Sequence, residues 1–181
     1  MKSKFSFEID FEYFDMYFWP KVFQRFHSTN ITSNAVWTEI YSYIKGSAES
    51  YLFPANYLPE SQYAKELERR KSIWTKGDRE TIFEIFCMYE RWKLAQGAYD
   101  LLDIVNYILT QMRFGRYNGT PIHFMMVDEV QDLPHAILLL LSNVTEQGLY
   151  FAGDTAQNIA SGVGFRFCDL SHIFDQVIFI F

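Results

Sequence analysis

Phe124-Met-Met-Val-Asp-Glu-Val-Gln-Asp132 is the stretch on which the reading of this chain turns. It closes an apolar run, Ile122 to Val127, that ends in acidic residues. An apolar helix over His135 to Val144 follows, then a short apolar strand over Gly148 to Ala152 and a third over Val177 to Phe181. Strand, helix and strand in this rhythm predict a parallel sheet with crossover helices. A strand that ends in Asp128-Glu129 delivers two carboxylates to the carboxyl edge of such a sheet, where open α/β folds place their ligands. The hard oxygens of Asp128 suit Mg²⁺, directly or through a water, because that ion keeps most of its hydration shell and takes few protein ligands. Glu129 is placed to orient and deprotonate a water that attacks a phosphate. A plainer reading, in which the acidic residues cap the next helix with Asp132 ahead of Pro134, explains the same residues.

Upstream the pattern is mostly helical. Phe5, Phe7, Ile9, Phe11 and Tyr13 alternate with polar residues, which predicts a half-buried strand over Lys4 to Tyr13, interrupted by Trp19-Pro20. Asn34 is a candidate N-cap for a helix through Val36, Trp37, Ile40 and Ile44, closed by Gly46. A loop over Phe53-Pro54 to Leu58-Pro59 leads into a charged helical stretch, Glu60 to Ile73. Asp78 is a candidate cap for a helix whose apolar positions Ile82, Ile85, Phe86 and Tyr89 recur every three or four residues, out to about Gln96. Tyr99 to Met112 repeats that period, and Arg113 to Pro121, with Gly115, Asn118 and Gly119, is a connector. The chain therefore divides into a mainly helical part, residues 1–120, and a part of an α/β core, residues 121–181.

Of the 181 residues, 49% are hydrophobic and 21% charged, a mix that builds a packed core rather than a disordered chain. A formal net charge of −6 argues against wholesale electrostatic capture of nucleic acid, so any strand binding is local. The basic clusters, Lys65 to Lys76 and Arg113 with Arg116, read as solvated helix faces or as local strand contacts. Cys87 and Cys168 lie far apart without CxxC spacing, giving neither a disulfide framework nor a zinc site, and the simple reading is an intracellular protein of nucleus or cytoplasm. The longest apolar run, Ala136 to Leu141, is too short to span a membrane, so no membrane partner is expected.

The order Asp128-Glu129-Val130-Gln131-Asp132 resembles the Walker B segment, motif II, of superfamily 1 helicases of the UvrD/Rep type. Some twenty residues on, Gly153-Asp-Thr-Ala-Gln-Asn-Ile159 resembles motif III of the same family, whose glutamine couples nucleotide state to the bound strand. A strand, turn and polar cap would account for that second segment structurally as well. The helical stretch before motif II is similar to the insert, 1B-like, that interrupts the family's motor core. Trp37-Thr-Glu-Ile40, Ile44-Lys-Gly-Ser47 and Tyr89-Glu-Arg-Trp-Lys93 more closely resemble the large helicase-like proteins that also bear tetratricopeptide and ankyrin repeats.

The resemblance implies a partial P-loop NTPase (RecA-like) core with ATP and Mg²⁺ as cofactors. Asp128, Glu129 and Gln157 would be catalytic, with Asp128 on the metal, and Asp128, Gln131, Asp154 and Gln157 would hold nucleotide. Phe165-Arg166, after an insertion of about three residues relative to the family's aromatic-Arg-Gly step, would supply the pair that stacks on a base of single-stranded DNA or RNA, although Phe165 reads equally well as core. No Gly-x-x-x-x-Gly-Lys-Ser/Thr occurs, and no second motor domain with its arginine finger is present. The chain thus reads as a fragment, with the P-loop segment and second domain of the motor as implied partners. The contrasting reading is a helicase-like scaffold or interaction module without catalysis.

Overall fold

The computed structural model describes residues 7–26, 31–69 and 74–153. Asp154, Gln157, Phe165, Arg166, Cys168 and the expected strand at Val177 to Phe181 lie outside the described residues. The described residues are rich in helix and form two small parallel sheets, one pairing β1 (Phe7–Glu8) with β2 (Ala98–Tyr99), the other pairing β3 (Ile122–Val127) with β4 (Thr145–Phe151).

Of the expected strand, Lys4 to Ser6 lie outside the described residues, and within Phe7 to Tyr13 only the two-residue β1 is strand. Asp10 then accepts the Tyr13 N–H at 2.8 Å and opens α1 (Phe11–Tyr13), which runs through a π turn at Phe14–Phe18 into α2 (Trp19–Phe26). The helical period wins over the alternation because Phe14, Phe18 and Val22, four residues apart, all enter the core. Nor does Pro20 break the chain here. It sits in the first turn of α2, and the wide π turn just ahead gives room to a ring that lacks an N–H.

Two cap assignments move by two or three residues. Thr32, rather than Asn34, accepts from the Ala35 N–H and starts α3 (Ser33–Glu39), which continues as a π turn over Ile40–Ile44. After a short 3₁₀ turn (Ser50–Leu52) and α4 (Glu60–Arg69), α5 (Lys76–Gln96) is capped by Thr75, with Asp78 reaching back to the Thr75 N–H. Asp78 is thus the acidic half of a capping box rather than the cap itself. A second capping box, Asp100 with Asp103, opens α6 (Leu101–Arg113).

Two apolar cores result. The first gathers Phe14, Phe18, Val36, Ile40, Ile82, Ile85, Phe86 and Tyr89, with Tyr89 packed edge-on to Phe14, Phe18 and Trp37. The second joins Leu102, Val105 and Leu109 of α6 to Val130 and to Ala136, Leu138 and Leu139 of α7 (His135–Val144). Through α6, the α/β segment is anchored on the helical part.

The junction is tight at Gly46, whose carbonyl accepts the Ala136 N–H at 2.8 Å. A Cβ there would lie 1.9 Å from the Tyr41 carbonyl oxygen and 2.8 Å from the Pro134 Cβ. Gly46→Ala is therefore expected to destabilise the fold by about 1 to 3 kcal/mol, measured by urea unfolding; an unchanged midpoint would show that α7 docks elsewhere.

In the β3/β4 pair, Phe124 faces Gly148, Met126 faces Tyr150 and Val127 faces Phe151. Val127 and Phe151 turn toward the second core, whereas Phe124, Met126 and Tyr150 stand exposed on the other face. Among the described residues no helix is long and apolar enough to cross a membrane.

Candidate functional site

The carboxyl ends of β3 and β4 lie side by side, because the strands are parallel and end in register at Val127 and Phe151. The chain leaving β3 is sewn to the chain leaving β4: the Ala152 N–H donates to the Val127 carbonyl at 2.8 Å, and the Val130 N–H to the Ala152 carbonyl at 3.1 Å. A 3₁₀ turn, Val130–Asp132, follows. Between strand and turn stand Asp128 and Glu129, both exposed at this edge.

Glu129 has φ 53°, in the left-handed region that side chains other than glycine seldom occupy. Such a conformation costs of order 1 to 3 kcal/mol and persists where the surroundings over-determine it. Here they do. The Glu129 N–H donates to Asp128 Oδ1 at 2.9 Å, the Val130 N–H is held by the Ala152 carbonyl just past β4, and the Gln131 amide Nε2 donates to Glu129 Oε2. Gln131 is buried beneath the edge. Its amide oxygen is packed so close to Gly153 that a Cβ on residue 153 would lie 2.5 Å from it. The glycine after β4 thus permits the approach that locks Gln131, and Gln131 aims Glu129.

The structure therefore brings together Asp128, Glu129, Gln131 and Gly153. Asp128 has one oxygen engaged by the Glu129 N–H and the other turned to no hydrogen-bond donor among the described residues. Gln131, read from sequence as a nucleotide contact, is buried, with its amide Nε2 donating to Glu129 Oε2. The structure describes neither Asp154 nor Gln157, the expected nucleotide-sensing pair, nor Phe165 and Arg166, the expected strand contacts. Arg113 and Arg116 flank the exposed Phe114, with guanidinium carbons 5.8 and 5.5 Å from the ring centroid.

A second polar constellation escaped the sequence reading. Lys45, at the end of the π turn after α3, is buried, and its Nζ lies 2.7 and 2.6 Å from the two Asp100 oxygens and 3.2 Å from Glu90. Lys93, also buried, reaches Glu90 at 2.7 Å, Asp100 at 2.8 Å and Asp103 at 2.6 Å. The Tyr89 hydroxyl donates to Asp100 at 3.0 Å. Burial alone would raise the Asp100 carboxyl, but Lys45 and Lys93 outweigh it and hold the group well below the ordinary carboxylate range. Burial likewise works against the Lys45 ammonium, and Asp100, Glu90 and Asp103 overcome it and raise its pKa. Glu90, Asp100 and Asp103 converge closely enough to ligate a cation. Two ammonium groups already occupy that role, so the cluster ties α5, α6 and the Lys45 turn together. Burial pushes the Cys87 thiol up, which disfavours the thiolate.

No family model and no solved structure matches this chain. Among curated proteins, it is 34% identical over 168 residues to the human protein named "TPR and ankyrin repeat-containing protein 1". The match covers 92% of this chain and 6% of that protein, so the chain is similar, over nearly its whole length, to one small part of a much longer repeat-containing protein.

Proposed function

We propose that the β3/β4 edge is the motif II half of an ATP-hydrolysing, nucleic-acid translocating motor of the UvrD-like helicase kind, working within a longer protein. The observation that carries this reading is Glu129: an exposed carboxylate at the end of a parallel strand, held in a left-handed backbone and aimed by the buried Gln131. That is the preorganisation a general base needs, since its value depends on being fixed near the proton it takes. Asp128 is the group to hold Mg²⁺, through the oxygen that its neighbour's N–H leaves free. The bound ion would supply charge neutralisation on the phosphates. Glu129 would accept the proton of the attacking water, and Asp154 and Gln157 would contact the nucleotide, as the family resemblance implies.

The experiment is the Mg²⁺ dependence of ATP hydrolysis by the complete natural protein. In Asp128→Asn the Mg²⁺ concentration giving half-maximal rate should rise about tenfold or more, because one formal charge leaves the ion's site. An unaltered Mg²⁺ dependence would remove Asp128 from the metal.

The alternative is an interaction module that keeps the helicase-like fold without turnover. It is favoured by the absence of a P-loop motif in these residues and by the relative's name, which denotes repeats and no enzyme. The two readings part on one fact: the motor requires a P-loop lysine supplied by the same polypeptide, and the module does not.

A further inference from the structure

Away from the β3/β4 edge, a pocket of about 220 Å³ opens between β1, the Trp37 to Tyr41 stretch and the start of α6. Its walls include three aromatic rings in series. Phe11 and Trp37 lie 6.3 Å apart, and Trp37 and Tyr41 are stacked at 6.4 Å and 14°. Its carboxylates are Glu8, Asp10 and Asp100. Asp100 is neutralised by Lys45 and Lys93, and one oxygen of Asp10 caps α1, but Glu8 has neither an ion pair nor a side-chain hydrogen bond among the described residues. No Lys, Arg or His lines the cavity among the described residues. The Tyr41 hydroxyl is pushed up, first by burial and then by Asp100 and Glu8.

An apolar, ring-walled cavity with Glu8 and Asp10 in its wall, and no cationic side chain among its described lining residues, is complementary to an organic cation, whose alkyl part packs on the rings while its head meets the carboxylates. The volume is below the roughly 300 to 1,000 Å³ of pockets that take whole drug-sized ligands, and suits a single side chain. The rim indicates what carries that side chain. Leu101, a lining residue, begins an exposed stripe on α6 that continues through Ile104 and Tyr107, at 39%, 42% and 58% exposure. Residues three apart on a helix share a face, so this stripe is an apolar ledge leading away from the pocket.

We propose that the pocket receives an arginine or lysine side chain of a partner protein, whose adjoining apolar residues lie along Leu101, Ile104 and Tyr107. The site is independent of the nucleotide reading and stands or falls separately from it.

The test follows the Trp37 indole N–H by NMR in the 181-residue chain, that signal being identified by its loss in Trp37→Phe. The probes are acetyl-Arg-Leu-Leu-amide, its lysine and citrulline counterparts, and agmatine. Saturable shifts are expected with the arginine or lysine peptide, at least tenfold weaker binding of the neutral citrulline peptide, and weaker binding of agmatine, which carries the cation without the ledge contacts. Glu8→Gln should weaken the cationic peptides about fivefold, and Tyr107→Ser, a change at an exposed position, should weaken the peptides and leave agmatine unaffected. Equal binding of the citrulline peptide, or no saturable shift with any probe, would overturn the site. Agmatine binding as tightly as the peptides would overturn the partner-protein assignment.

Discussion

Lys45→Met should lower the unfolding free energy by about 3 to 5 kcal/mol, the cost of leaving buried carboxylates without their counter-charge. Methionine fills nearly the same volume, so the loss would be electrostatic rather than a cavity. In the native chain three carboxylates, Glu90, Asp100 and Asp103, face two ammoniums, Lys45 and Lys93, a balance of −3 + 2 = −1. Removing Lys45 leaves −3 + 1 = −2 in the cluster, with both oxygens of the buried Asp100 losing a partner. Asp100→Asn should cost less, because asparagine still caps a helix and the buried Lys45 and Lys93, although they lose Asp100, keep Glu90 and Asp103 as counter-charges, a balance of −2 + 2 = 0. Urea unfolding of the three proteins decides this. A Lys45→Met loss below about 1 kcal/mol would place the cluster in the class of exposed, solvent-screened pairs.

The same cluster sets a pH signature. Asp100 ionises more readily folded than unfolded, so its stabilisation is present above the unfolded value of about 3.9 and is lost as pH falls below that toward the folded value. Lys45 is shifted upward, so its contribution is full below the unfolded value of about 10.4 and declines as pH rises through the folded one. The melting temperature should hold across the neutral range as far as these groups set it, and the acid decline should shrink in Lys45→Met. An acid limb of the same size in both proteins would assign it to other carboxylates.

The long periodic elements were legible in the sequence because their signal is local. The apolar recurrence in α5 and α6 and the unbroken runs of β3 and α7 each announce one element, and an apolar strand ending in Asp128-Glu129 announces the edge. What stayed hidden depends on contacts between distant residues. Phe7 forms a strand only because Ala98 pairs with it, ninety-one positions on (98 − 7 = 91). Lys45 meets Asp100 across a separation of 55, and nothing near either residue foretells it. The caps at Thr32 and Thr75 slipped past because an Asn or Asp nearby offered an equally good local candidate, and only the formed turn selects between them. Gln131 stood inside the quoted motif, but its burial beneath Glu129 and against Gly153 needs both strands in place.

The motor reading rests on Glu129. A fixed general base contributes about 10²- to 10⁴-fold to a rate, and glutamine keeps the shape and the left-handed backbone of residue 129 while removing the proton acceptor. Gln131 would then face an amide instead of a carboxylate, a change at an exposed position that leaves both cores untouched. Nucleotide affinity should be nearly preserved, since the phosphates are held by Mg²⁺ and by groups other than Glu129. The decisive measurement is the steady-state ATPase rate together with the ATP dissociation constant of the complete natural protein and its Glu129→Gln variant. Turnover should fall about 10²- to 10⁴-fold with ATP affinity changed less than about threefold. Hydrolysis that survives the substitution unchanged, or a complete protein that hydrolyses no ATP, would contradict it.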